Sequence, residues 1–218
     1  MYHSILTAIA QGNGKVHSVI KRAKVPEDIG VKAIDVLCQK DVIKTQKTQK
    51  TFTSWSEHEN IDNRLFFQMP FIRFWFAFIS PLFKGIRDGN YDEIIKKFTN
   101  NEKEFFDLTF IELSHELIKL LPTDDKIIEI STYWDNDIEL DIYAKTKSGK
   151  TVVGSCKYTN TKIKKSGLSH LQEVCDKADI KVDMFVIVSK NGFSSELKAL
   201  KSNNLKLLTL KNFKKLIQ

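Results

Sequence analysis

The stretch from residue 138 to residue 158 constrains the fold of this 218-residue chain more than any other part of the sequence. It reads IELDIYAKTKSGKTVVGSCKY. Apolar and polar residues alternate from Ile138 to Tyr143, which is the period of a half-buried strand. A polar turn containing Gly149 follows, and a second extended run leads to Lys157. The sequence therefore predicts two strands joined by a hairpin turn.

Charged side chains on these two strands indicate a chemical site. Residues two apart on a strand share a face, so the pattern places Glu139 and Asp141 on one face, and likewise Ser155 and Lys157. Pairing the strands would bring the acids beside the lysine, an arrangement typical of metal-dependent phosphodiesterases. The alternative is that Asp141 and Lys157 form only a cross-strand ion pair, worth roughly a few tenths of a kcal/mol.

The rest of the C-terminal half has a mixed α/β pattern. Helical periodicity ends at Pro122, and the apolar run MFVIVS is typical of a central strand that is covered on both faces. The predicted order from residue 102 onwards is α-β-β-β-α-β-α-β-α. The elements outside the hairpin are a helix over 103–121, a strand over 127–133, a helix over 167–178, and strands over 184–189 and 205–209.

The N-terminal end of the chain predicts a DNA-binding arrangement. Three short helices are followed by a basic extended stretch, KTQKTQKTF, which is the outline of a winged helix-turn-helix. In this interpretation the third helix enters a groove of duplex DNA, and lysines contact the phosphates. The predicted nucleic-acid-binding residues are Lys32, Lys44, Lys47 and Lys50.

An alternative for this region is a winged helix used for packing or protein contacts. The third helix would present Asp28 and Asp35 beside Lys32, and acids repel phosphate. The net charge of +7 does not decide the matter. Nine Lys and Arg against four Asp and Glu in residues 1–50 favour a polyanion, but a charge run also suits a solvated face.

Residues 64–83 are the most aromatic part of the sequence. Gln68, Pro70, Arg73 and Pro81 interrupt the run, so it does not qualify as a membrane span. The spacing instead predicts a buried helix from about Pro70, and residues 84–101 predict a turn, a short helix and a linker. The side chains expected on the packed face of the buried helix are Phe71, Phe74, Trp75 and Phe78.

Cysteine usage and the N-terminus bear on the cellular compartment. The three cysteines are far apart and form no CxxC pair, so neither a disulfide framework nor a zinc site is expected. The N-terminus lacks the pattern of a secretion signal. The expected location is the cytoplasm.

Three stretches resemble a prokaryotic ATPase family known as domain of unknown function 234: MPFIRFWFAFISP at 69–81, IELDIYA at 138–144 and VGSCKY at 153–158. In that family a winged helix precedes an aromatic segment and a PD-(D/E)xK nuclease-like domain. The resemblance implies a mixed α/β chain: a winged helix-turn-helix over 1–55, an aromatic helical connector over 56–101, and a restriction-endonuclease-like αβββαβ domain with a mixed sheet over 102–218. The family's ATPase module is not in this sequence, so a separately encoded ATPase is an implied partner.

The resemblance also implies a set of site residues. Asp141, Glu112 and the backbone carbonyl of Cys156 would hold Mg²⁺ or Mn²⁺, and Asp141, Lys157 and Glu112 would be catalytic. Ser155 stands where the family has glutamate, and a hydroxyl is a poor magnesium ligand, so metal affinity and rate should fall. The expected function is DNA binding by a protein with a nuclease-like domain, whose hydrolysis, if present, is weak and metal-dependent. The alternative is a catalytically inactive module that binds nucleic acid or a partner protein such as the ATPase.

Overall fold

The computed structural model describes residues 1–12, 14–46, 63–122, 124–134 and 138–217. Helices and a mixed five-stranded sheet make up these residues, so the predicted mixed α/β class is confirmed. The chain divides into two compact units, Met1–Glu102 and Lys103–Gln218. The residues assigned to the winged helix and those assigned to the aromatic connector therefore lie in one unit.

Three helices and a two-stranded antiparallel sheet open the first unit. They are α1 (Tyr2–Ala10), α2 (Val16–Ala23), α3 (Glu27–Gln39), β1 (Ile43–Gln46) and β2 (Arg64–Phe67). Their buried side chains form one core, because each helix turns an apolar stripe inward. Ile5, Val19, Ile43 and Leu65 are each at most 2% exposed. The predicted contacts Lys47 and Lys50 lie outside the described residues.

The apolar spacing of the third helix predicts that Ile29, Ala33, Ile34 and Leu37 are buried, and the structure of α3 differs at one of these positions. Ala33, Ile34 and Leu37 are buried as expected, but Ile29 is 41% exposed and Gly30 is buried in its place. A Cβ on Gly30 would lie 2.9 Å from Cγ1 of Ile20 in α2. The close approach of the two helices at this glycine accounts for the outward position of Ile29.

The aromatic segment is not one regular helix. It consists of α4 (Pro70–Phe74), a π-helical turn (Trp75–Ile79), a 3₁₀ turn (Ser80–Leu82) and α5 (Phe83–Arg87). Phe78 is buried and Phe74 packs on it, but Phe71 is 65% exposed and Trp75 is also exposed, so the predicted packing of the last two is wrong. Phe71 and Trp75 are four residues apart, as are Phe74 and Phe78, so the predicted face consists of two rows of side chains and only the second row is packed. None of the described helices is both long enough and apolar enough to cross a membrane.

The longest helix, α6, runs without interruption over Asp92–Lys119. The linker predicted before residue 102 is therefore wrong, because that stretch is the first part of α6. Asp92 and Glu93 occupy its first turn, where negative charge complements the positive end of the helix dipole.

The second unit contains the five-stranded sheet. The strand order is β3-β4-β5-β6-β7; β3, β4 and β5 are antiparallel, whereas β5, β6 and β7 are parallel. The predicted order of elements is confirmed, except that the last helix is 3₁₀. The elements after α6 are β3 (Ile127–Trp134), β4 (Glu139–Thr146), β5 (Thr151–Lys157), α7 (Lys165–Lys177), β6 (Met184–Ser189), α8 (Ser195–Ala199), β7 (Leu205–Thr209) and a 3₁₀ helix (Leu210–Leu216).

The sheet has an apolar core on each face. Val186 and Val188 of β6 pack in the cluster that contains residues of α6, whereas Ile187 packs in the cluster that contains residues of α7. This alternation buries the central strand on both sides, as its continuous apolar sequence predicts. In β5, a Cβ on Gly154 would clash with the carbonyl oxygen of Val186. Glycine at this position allows the two parallel strands to approach each other.

Candidate functional site

The site is built around an irregularity in strand β4. Ser131 of β3 pairs with Tyr143, and Tyr133 pairs with Leu140, so β4 advances by three residues where β3 advances by two. The extra residue is a β-bulge near Asp141. Leu140 packs in the α7 cluster and Ile142 in the α6 cluster. The strict alternation predicted for this strand is therefore wrong, and a shared face for Glu139 and Asp141 no longer follows from it.

The bulge frees the side chain of Asp141 to bond to the next strand. Regular pairing between β4 and β5 extends to Ile142 and Gly154, the last pair at this end. One step further, the Cys156 N–H donates to Oδ2 of Asp141 over 2.7 Å. The N–H and C=O of one strand residue point to the same edge, so the Cys156 carbonyl also faces this gap between the strands.

Lys157 completes a close pair with Asp141. Its Nζ lies 3.8 Å from Oδ2 of Asp141, and the two side chains are 51% and 20% exposed, respectively. The distance is too long for a good hydrogen bond but short enough for charge attraction. The structure thus brings together the two residues on which the predicted site depends, whereas their catalytic role stays a prediction.

The charge state of Asp141 is set mainly by its burial. Burial raises the pKa of the carboxyl above its ordinary value, and this effect exceeds the lowering by the Lys157 ammonium and by the Cys156 N–H. The neighbouring charges of Glu139 and Asp107 raise the pKa further. Holding a negative charge at this position therefore costs the protein free energy.

Helix α6 contributes two residues that sequence reasoning missed. Nε2 of His115 lies 2.7 Å from the backbone carbonyl oxygen of Asp141. Because a carbonyl can only accept, the imidazole donates this bond, and it ties the bulge to the helix. Asp107 lies near enough for its charge to act on Asp141, and it pairs with Lys103 one helical turn away. They are eight residues apart, which is about 80° around the helix axis, so no simple sequence spacing marks them as a pair.

Glu112 lies on α6 three residues before His115, which is about 60° around the helix axis. It lies five residues beyond Asp107, which is about 140° around the helix axis. The charge of Asp107 acts on Asp141. Asp107 is therefore a further candidate acid of the site, and the role expected of Glu112 stays a prediction.

Cys156 contributes its backbone and not its thiol. The side chain is buried, and burial together with the charge of Asp141 raises the pKa of the thiol far above its ordinary value. A thiol that stays protonated is neither a nucleophile nor a metal ligand. Its neighbour Ser155 is partly buried and offers a hydroxyl where the resemblance implies a carboxylate.

The fit of these residues to Mg²⁺ depends on the oxygen atoms that they offer the ion. The ion takes oxygen ligands in octahedral geometry and is usually held by one or two carboxylates. Here Oδ2 of Asp141 already accepts from the Cys156 N–H and faces Lys157. Within the described parts of the chain, no three His, Cys, Asp or Glu side chains are grouped so as to hold a metal ion.

The predicted DNA contacts of the first unit are only partly described. Lys32 is exposed on α3 and Lys44 is exposed on β1. Asp28 and Asp35 are also exposed on α3, so acids accompany Lys32 on the helix surface as expected.

Comparison with known proteins gives one match. A family described as archaeal and bacterial proteins of unknown function, domain of unknown function 234, matches residues 75–168. The matched region includes Asp107, His115, Asp141 and Lys157, so the site lies within it. No curated protein and no solved structure matches the chain.

Proposed function

We propose that this protein binds DNA and that its second unit is a nuclease-like domain without metal-dependent hydrolysis. Several observations support the nuclease-like assignment. The element order αβββαβ with a mixed sheet is the one that the resemblance implies, and the family match includes the strands of the candidate site. Asp141 and Lys157 meet beside a bulge, and bulges are frequent next to active sites.

One observation carries the loss of hydrolysis. Oδ2 of Asp141 is engaged within the protein by the Cys156 amide and by Lys157, and Ser155 stands where the resemblance implies a second carboxylate. A carboxylate that already has internal partners is a weaker ligand for a divalent ion. The same arrangement is well suited to holding the end of β5 against β4.

DNA binding is supported by the first unit and by the overall charge. Three helices followed by an antiparallel strand pair are the parts of a winged helix. The chain carries a net charge of +7, and a basic protein gains affinity for DNA by releasing counterions from the phosphates.

The competing hypothesis is a weak phosphodiesterase that uses Mg²⁺ or Mn²⁺. Its support is Asp107, because a second acid within charge range of Asp141 could compensate in part for Ser155. Supercoiled plasmid incubated with either ion separates the two hypotheses. The variants to compare are Asp141→Asn, Lys157→Ala and Ser155→Glu.

The inactive domain predicts the same background nicking for the wild type, Asp141→Asn and Lys157→Ala. Ser155→Glu restores the missing carboxylate, and a gain of cutting by this variant would show that position 155 is where catalysis was lost. Cleavage by the wild type that both Asp141→Asn and Lys157→Ala abolish would overturn the proposal in favour of the weak enzyme.

A second candidate is a module that docks on a separately encoded ATPase. The observation in its favour is the exposure of large apolar side chains in the first unit: Phe71 is 65% exposed, Met69 55% and Phe83 49%. Exposed apolar side chains of this size mark protein contact sites when they form a patch. Co-expression with such an ATPase followed by size-exclusion chromatography tests it, and Phe71→Ser should then weaken a complex that Ile128→Ser leaves intact.

A further inference from the structure

The loops that follow β5 and β6 carry a concentration of positive charge. Residues 157–172 contain four lysines and no Asp or Glu. Lys162, Lys164 and Lys165 are exposed, and Lys190 follows β6 directly. Because β5 and β6 are parallel neighbours, both loops begin at the C-terminal ends of the strands and lie at the same end of the sheet. We call Lys162, Lys164, Lys165 and Lys190 the basic rim.

The two loops are held together by hydrogen bonds. The Ile163 N–H donates to the Gly192 carbonyl, and the Ser194 N–H donates to the Ile163 carbonyl, each over 2.9 Å. The Lys190 N–H donates to the carbonyl of Lys157 over 3.0 Å, which joins the loops next to the candidate site. The basic rim is therefore an ordered surface of the second unit.

The backbone direction turns the lysines outward. Ile163 forms an isolated parallel bridge with Phe193 and packs against the α7 cluster. Side chains alternate along an extended segment, so Lys162 and Lys164 point away from that cluster, about 7 Å apart. Nζ of Lys190 lies 4.1 Å from the centre of the Tyr158 ring. This cation–π contact holds Lys190 at the C-terminal end of β5.

The amino-acid composition of the basic rim differs from that of a protein–protein interface. Lysine is depleted at the centre of protein–protein interfaces, where aromatic side chains are enriched. No large apolar side chain in residues 157–166 is exposed, so an acidic protein would find no anchor there. A phosphate backbone needs only point charges at an ordered surface.

We propose that the basic rim binds the phosphate backbone of a nucleic acid, so that the bound backbone lies next to the Asp141–Lys157 pair. The inference rests on the nucleic-acid binding proposed above, but it assigns phosphate contacts to residues of the second unit in addition to those predicted for Lys32 and Lys44. Because it requires no base contact, the binding should be independent of sequence.

The test uses the full chain and two triple variants of equal charge. Lys162→Gln, Lys164→Gln and Lys165→Gln neutralise the rim. Lys126→Gln, Lys147→Gln and Lys181→Gln neutralise three exposed lysines at the opposite end of the sheet, about 20 Å away along β5. Fluorescence anisotropy measures binding to labelled 20-nucleotide single strands and to 20-base-pair duplexes of mixed sequence across a salt series.

The rim variant should bind about tenfold more weakly or worse, and its slope of log K against log salt should fall by roughly 2 to 3. The control variant should remain close to the wild type in both respects. Equal losses in the two variants would overturn the rim while leaving nucleic-acid binding intact. A wild type that binds neither oligonucleotide would instead remove the proposed function, and binding of polyglutamate with the same salt slope would assign the rim to an acidic protein.

Discussion

The carboxylate of Asp141 accepts the hydrogen bond from the Cys156 amide that a regular ladder would give to a backbone carbonyl of β4. This bond makes Asp141 part of the sheet as well as part of the candidate site. The same oxygen faces Lys157. The internal engagement of this carboxylate is the basis of the proposal that the domain does not hydrolyse phosphodiesters.

Replacing Asp141 should separate its structural role from its charge. Asp141→Ala leaves the Cys156 amide without its acceptor, and an unsatisfied buried donor costs about 1–3 kcal/mol. Asp141→Asn keeps a carbonyl oxygen at that position and should avoid this loss. Urea unfolding at neutral pH measures both variants, and equal stabilities would contradict a structural role for the bond.

The stability of the protein should depend on pH through Asp141. Because burial raises the pKa of this carboxyl in the folded state, its ionisation costs stability as the pH rises through that pKa. At neutral pH, Asp141→Asn should therefore be more stable than the wild type by on the order of 1 kcal/mol, because the amide has no charge to bury. The pair with half-exposed Lys157 offsets little of this.

The stability difference between Asp141→Asn and the wild type should shrink as the pH falls towards about 4, because the wild-type carboxyl then becomes neutral as well. Thermal unfolding of both proteins between pH 4 and pH 8 provides the measurement. If Asp141→Asn instead gains stability relative to the wild type as the pH falls, the pKa of Asp141 is lowered in the folded state. The attraction to Lys157 would then outweigh the effect of burial.

His115 is expected to act as a positioning residue. Its imidazole donates to the Asp141 carbonyl, and loss of this bond in His115→Ala should cost about 1 kcal/mol. If the bond only stabilises the fold, the pKa of the Asp141 carboxyl should be unchanged in His115→Ala. If His115 positions the bulge, the pKa of Asp141 measured by NMR should shift in His115→Ala and recover in His115→Gln, whose amide can donate in the same direction.

Gly154 should tolerate no larger side chain. A Cβ there would meet the Val186 carbonyl oxygen, so Gly154→Ala must push β5 and β6 apart. Overpacking of this kind costs about 1–3 kcal/mol. Gly149→Ala is the comparison, because no heavy atom lies within 4 Å of the Cβ position at that turn glycine. Its φ of +87° strains an alanine, but we expect the loss of stability to be smaller than in Gly154→Ala. Equal losses would show that the contact with β6 is not the cause.

The sequence predicted the elements better than the details of the site. Apolar periodicity identifies β6 and α7 because each buries a repeating face, and the order of elements follows from it. The bulge at Asp141 is set by the register with β3, which no local pattern encodes. The approach of Asp107 to Asp141 depends on the rotation of α6 about its axis, which local periodicity does not define.

Metal binding shows whether the carboxylate of Asp141 is available to an ion. Isothermal titration of Mn²⁺ into the wild type, Asp141→Asn and Ser155→Glu measures whether the site holds an ion when no nucleic acid is present. We expect no saturable binding of Mn²⁺ to the wild type or to Asp141→Asn, and saturable binding to Ser155→Glu. Saturable binding to the wild type that Asp141→Asn abolishes would contradict this expectation, because the Asp141 carboxylate would then be available to a metal despite its bonds to Cys156 and Lys157.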